Sequence, residues 1–210
     1  MLDLARRHQA DMAEKIGADR VTFHKGYIQN LALDMDAASA YAANNPISDE
    51  KSLADYEAWR QRQQKEKPMI ASGSISLVIS NCVLNLVDKK DRLQMLSEIF
   101  RVLKPGGRVA ISDIISDEHV PMDLQQDKEL WSGCISGAFQ EQEFLDAFVD
   151  AGFVNVGYDK WDVEPWQVVK GIEFRSATLV ASKPFSGPVR DGGHALMYRG
   201  PFASINDDAG

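Results

Sequence analysis

A chain of 210 residues with 44% hydrophobic and 26% charged side chains has the make-up of a globular domain, which excludes a disordered polar chain and a fibrous repeat. Its 23 basic and 31 acidic residues leave a net charge of −8, which opposes non-specific attraction to nucleic acid or to an anionic membrane and leaves small molecules or proteins as partners. No apolar run reaches the roughly 18 to 20 residues that span a bilayer, and Met1 to His8 does not read as a signal peptide, so the chain is read as cytoplasmic. Its two cysteines, Cys82 and Cys134, are too few for a disulfide framework and are expected as free thiols.

In chain order, Leu2, Ala5, Met12, Ala13 and Ile16 fall on one stripe at helical spacing and Gly17 suits a helix-closing position. Arg20-Val21-Thr22-Phe23-His24, β-branched and aromatic, predicts a strand, with Gly26 after it as punctuation. Residues 35–72 turn polar. They carry Asn44-Asn45-Pro46 as a breaker, Ser52-Leu53-Ala54-Asp55 as a capping box, and early acids with late bases that match the dipole of one exposed helix. They read as an insertion between core elements.

Ile75-Ser76-Leu77-Val78-Ile79-Ser80 predicts a buried strand, and residues 89–103 a helix with Leu93, Leu96, Phe100 and Leu103 inward, stopped by Lys104-Pro105-Gly106-Gly107. Arg108 to Asp113 predicts the next strand. Residues 141–151 predict a helix with Phe144, Leu145 and Phe148 inward and Gly152 as its cap, and two last strands fit near 153–162 and 172–182. This alternation argues for an α/β fold, a doubly wound sheet ending in an antiparallel hairpin.

Ligands of such sheets bind beyond the carboxyl ends of the strands. Three polar runs stand there: Gly26-Tyr27-Ile28-Gln29-Asn30, Asn81-Cys82-Val83-Leu84-Asn85 and Asp113-Ile114-Ile115-Ser116-Asp117. Singly these are turn residues that satisfy strand-end backbone groups; together they outline a small-molecule site. His8, His24, His119 and His194 lack metal-ligand spacing, and no metal is expected. Asp123, Asp127 and Glu129 read as a solvated helix face, Trp161 and Trp166 as packing under the final hairpin, and residues 184–210 as a loose tail.

Ser80-Asn81-Cys82-Val83-Leu84-Asn85-Leu86 and Trp131-Ser132-Gly133-Cys134-Ile135-Ser136-Gly137-Ala138, with Lys104-Pro105-Gly106-Gly107 between them, resemble the arsenite S-adenosylmethionine methyltransferases, a branch of the class I methyltransferases. The resemblance implies a partial, Rossmann-like class I domain over 1–183 with the 35–72 insertion. Tyr198-Arg199-Gly200-Pro201-Phe202 resembles the start of the family's C-terminal segment, within a tail at 184–210. It also implies that the family's first strand, glycine-rich loop, first helix and second strand would precede residue 1, so the chain reads as truncated.

By the same resemblance the cofactor is S-adenosylmethionine, with Ile28 and Gln29 against its adenine and Asn81 contacting it at a strand end; at Gln29 relatives often carry an acid. Cys82 and Cys134 match two cysteines that bind trivalent arsenic in the family, a third lying N-terminal to this chain's residues. Arsenic(III) is soft, so thiolates hold it while its lone pair stays free to attack a methyl group. An exogenous thiol such as glutathione would complete the set. The resemblance leaves three readings open: methyl transfer to arsenic, a non-catalytic remnant that binds a metalloid or a partner chain, and methyl transfer to a small organic acceptor. Without the family's first two strands, the Val21 to His24 strand would keep a bare edge and face, so self-association is expected.

Overall fold

The computed structural model describes residues 2–185, so His194, the Tyr198–Phe202 motif and nearly all of the tail lie outside the described residues. Helix α1 (Leu2–Ile16) ends where expected, with Gly17 at φ +77°, a left-handed value that glycine adopts without a Cβ penalty. Its apolar stripe is not buried. Met12, Ala13 and Ile16 line an apolar hollow of about 240 Å³ together with Val21 and Phe23.

The strand expected at Val21 to His24 does not form. A strand exists through backbone hydrogen bonds to a neighbour, and among the described residues none pairs with this run; a single bridge from Tyr27 to Asn30 closes a turn after it. The insertion forms two helices, α2 (Met35–Asn44) and α3 (Glu50–Glu66), parted at the Asn-Asn-Pro breaker. The capping box starts three residues earlier than expected. Asp49 is the N-cap, its carboxylate accepting the Ser52 N–H at 2.7 Å while the Ser52 hydroxyl accepts the Asp49 N–H at 3.0 Å.

The remaining elements are β1 (Ile75–Asn81), α4 (Lys89–Val102), β2 (Leu103–Ser116), the short α5 (Met122–Gln125) and α6 (Lys128–Ser132), β3 (Phe139–Gln140), α7 (Glu141–Asp150), β4 (Val154–Trp161), β5 (Gln167–Val169) and β6 (Ile172–Ser182). They build one mixed sheet of order β1-β2-β6-β4, with β1 parallel to β2 and β6 antiparallel to both β2 and β4. The α/β expectation holds. Sequence reading missed β5, which pairs with β6 through the two-residue turn Lys170-Gly171, both at positive φ, the conformation that matches hairpin twist.

The main core lies between one face of β2 and β6, carrying Val109, Ile111, Leu179 and Ala181, and helices α4 and α7, carrying Met95, Leu96, Ile99, Phe144 and Phe148. Helix α7 ends in a paired-bond cap. Gly152, at φ +93°, donates to Val149 O and Phe153 donates to Phe148 O, which satisfies two orphan carbonyls. Helix α4 is rotated from expectation: Leu93 is 68% exposed, and the buried stripe runs through Arg92, Met95, Leu96, Ile99 and Val102. Arginine takes the inward place because its guanidinium finds buried carbonyls there.

Strand β1, expected as a buried strand, is half-buried on one face, through Ile75 and Val78, and open on the other. Leu77 and Ile79 point to the face opposite the helices, and Ile79 is 72% exposed. Trp166 is also 58% exposed instead of packing under the hairpin, whereas Trp161 stacks edge-on against Tyr158 beneath the Arg175 guanidinium. Asp127 caps α6 and Asp123 pairs with Lys170, so these acids hold local structure as well as facing solvent. No helix among the described residues is long and apolar enough to cross a membrane.

Candidate functional site

The carboxyl end of β1 delivers Asn81 and Cys82. The Cys82 N–H donates to Ser112 O at 2.9 Å, continuing the parallel ladder one residue beyond the strand, and the chain then turns sharply with Cys82 at φ +53°. Its thiol is exposed and donates to Asn81 Oδ1 at 3.4 Å.

Cys134 reaches the same place from the other direction, at the end of α6. Gly133 is the C-cap, Cys134 donates to Trp131 O and Ile135 to Leu130 O, both at 3.0 Å. This is the same paired-bond cap that closes α7, but with cysteine at φ +63° in the position glycine usually holds. A left-handed cysteine costs about 1–2 kcal/mol, and such strain gathers at functional sites. The Cys134 side chain is buried beside Ile114, Leu124 and Phe174, and its thiol lies 3.9 Å from the Cys82 carbonyl oxygen.

The floor of the pair is polar and buried. Asp113, in β2, accepts the Ile114 N–H at 2.9 Å and the Asn85 N–H at 3.2 Å, and burial pushes its carboxyl above the usual range. Asn85, 1% exposed, donates its amide to Ile114 O at 2.6 Å and to Cys134 O at 3.1 Å. Arg92 donates to Val87 O at 3.1 Å and Gly137 O at 2.6 Å and stacks over the Phe139 ring at 4.4 Å; burial draws its pKa down to about 10. Gly137 is held so close that a Cβ there would stand 1.9 Å from the Asn85 carbonyl oxygen.

Burial, and then the nearby Asp113 charge, raise both thiols, Cys134 to about 11. The pair thus waits protonated. It can take a soft, thiophilic centre that displaces the two protons, and Cys82, on the open side, is the thiol a ligand reaches first.

Ile28 and Gln29 sit in the turn closed by Tyr27 and Asn30, Ile28 packing on the main core and Gln29 half-buried. The structure brings Asn81, Cys82 and Cys134 together, and no hydrogen bond joins Ile28 or Gln29 to them among the described residues. Sequence reading missed Arg92, carried Gly137 and Asn85 within the two cysteine motifs without a role of their own, and noted Asp113 only as a strand-end polar group. A charge within the apolar period of α4 was the one available signal for Arg92.

Residues 33–152 match the family described as Methyltransferase domain. The arsenite methyltransferase of Halobacterium salinarum is 37% identical over 122 residues, 55% of this chain and 31% of that protein. The mouse arsenite methyltransferase is 48% identical over 84 residues, 40% of this chain and 22% of that protein. The chain thus spans about a third or less of the length of these curated relatives. Among solved structures, an arsenic (III) S-adenosylmethionine methyltransferase from Chlamydomonas reinhardtii superposes with a TM-score of 0.61 at 24% identity, covering 90% of this chain and 54% of that one, and supports the fold.

Proposed function

This chain belongs to the methyltransferase domain family, and from that premise we propose that it serves S-adenosylmethionine-dependent methyl transfer to trivalent arsenic held by Cys82 and Cys134. The observation that carries the reading is the thiol pair itself: two cysteines 52 residues apart, both in left-handed backbone, meet at the carboxyl ends of β1 and β2. An organic acceptor would need neither thiol. We read residues 1–183 as the methyltransferase portion with 35–72 as its insertion, acting in the cytoplasm, where thiols stay reduced.

The residues present fit one flank of a cofactor site. Ile28 offers an apolar surface for an adenine ring, the Gln29 amide can donate or accept at its edge, and the exposed Asn81 amide stands next to the thiol that would hold the acceptor. When bound there, S-adenosylmethionine supplies an electrophilic methyl group. The chain's own task is then positional. Cys82 and Cys134 would replace two hydroxyl ligands of arsenic, the thiol protons leaving with those oxygens as water, an exogenous thiol would supply the third ligand in the same way, and the buried floor would hold the two cysteine loops in place.

The test is incubation of the chain with arsenite, glutathione and isotopically methyl-labelled S-adenosylmethionine, with arsenic species resolved by mass spectrometry. Labelled methylarsenic that disappears in both Cys82→Ser and Cys134→Ser supports the proposal. Arsenite binding without methylation would make the chain a metalloid-binding remnant, and methyl transfer to an organic acceptor that survives Cys82→Ser would overturn the assignment.

A further inference from the structure

We infer that Asn85 is a positioning residue that sets the spacing of the two thiols, an inference that rests on the arsenic-binding reading of Cys82 and Cys134. Asn85 stands in the short turn that follows Cys82, and its backbone N–H is anchored on Asp113 at 3.2 Å. Its side-chain amide crosses to the other cysteine loop, donating to Cys134 O at 3.1 Å and to Ile114 O at 2.6 Å. One residue therefore touches the loop of each cysteine and the strand between them.

The amide orientation is determined by its partners, since two carbonyl oxygens can be met only by the NH₂ group. Gly137 lies against the Asn85 carbonyl with no room for a Cβ, and Arg92 holds Gly137 O at 2.6 Å. Cys134 stays in its left-handed conformation because the segment after it is pinned to Asn85 and Arg92. Among the described residues Asn85 Oδ1 is buried without a donor, so the contacts its side chain supplies are the two donations by its NH₂ group. Arsenic needs both sulfurs at one distance, so loss of the strap affects a two-thiol ligand far more than a one-thiol reagent.

The probe is phenylarsine oxide, which forms two As–S bonds while its oxygen leaves with both thiol protons as water. Full-chain Asn85→Ala is expected to bind it at least tenfold more weakly than the native chain. Both thiols should still react with iodoacetamide at native rates within about threefold, and the far-UV spectrum should be unchanged. Asn85→Ser, which retains a single donor, should fall between the two; it also carries the test if the alanine variant does not fold. Native-like phenylarsine oxide affinity in a folded Asn85 variant overturns the inference. A native chain that binds no phenylarsine oxide overturns the arsenic reading beneath it, so the two failures are separable.

Discussion

The Cys134 thiol lies 3.9 Å from the carbonyl oxygen of Cys82, so two loops separated by α4, β2, α5 and α6 present sulfur to one small volume near buried Asp113. Low polarity and a nearby carboxylate both resist thiolate formation there.

Thiol reactivity should show this. Iodoacetamide should modify Cys134 with a pH midpoint near 11, against about 8.5 for an ordinary cysteine. In Asp113→Asn the profiles of both cysteines should move to lower pH, because a negative charge that opposes their ionisation is gone. Linkage gives the stability counterpart. The folded state holds the Cys134 proton longer than the unfolded chain, so the thiol's contribution is whole below about pH 9 and is lost as pH rises through about 11. A flat urea midpoint across that window would contradict the shift.

The left-handed backbone at Cys134 inverts the usual order of small substitutions. Cys134→Gly should be at least as stable as Cys134→Ala in urea denaturation, although it removes one more buried carbon, because glycine escapes a cost of about 1–2 kcal/mol. An alanine variant clearly more stable than the glycine variant would show that the backbone there is relaxed.

Gly137→Ala should destabilise the chain by roughly 1–3 kcal/mol, since the added methyl meets backbone at 1.9 Å and not a flexible side-chain tip. Calorimetry should register this as a fall in Tm of about 2–4 °C for each kcal/mol. A Tm within 1 °C of native, by that same scale, would mean that the loop moves aside freely.

The exposed face and free edge of β1 lead to a prediction about assembly. Ile79 stands largely in solvent on a strand that, among the described residues, is paired on one side only. Sedimentation velocity should show concentration-dependent self-association that weakens in Ile79→Lys. Monomers at every concentration in the native chain would refute it.

Much of the fold was legible because its signals are local. Gly17 and Gly152 closed their helices as read, and the strands ending at Asn81 and Ser182 fell within a residue or two of expectation, whereas Lys104-Pro105-Gly106-Gly107, read as the stop of α4, lies inside β2, which begins at Leu103 instead of Arg108. Each depends on backbone geometry or on a period of a few residues. The motifs around Cys82 and Cys134 were likewise readable as strings, and so was membership of the methyltransferase domain family.

What lay beyond the sequence depends on neighbours brought from a distance. Val21 to His24 has strand composition yet forms none, because hydrogen bonds to an adjacent strand, not composition, make a strand. The stripe of α4 turned inward at Arg92 instead of Leu93 because Val87 and Gly137 carbonyls waited there. That Cys82 is open and Cys134 buried was decided by packing for the same reason. Residue order along the chain determined which chemical groups exist and which short elements they form. Only tertiary packing decided that Asn85 would bind the carbonyl of Cys134 and draw two thiols together, because burial and directional hydrogen bonding are properties of groups that sequence separates and folding alone makes adjacent.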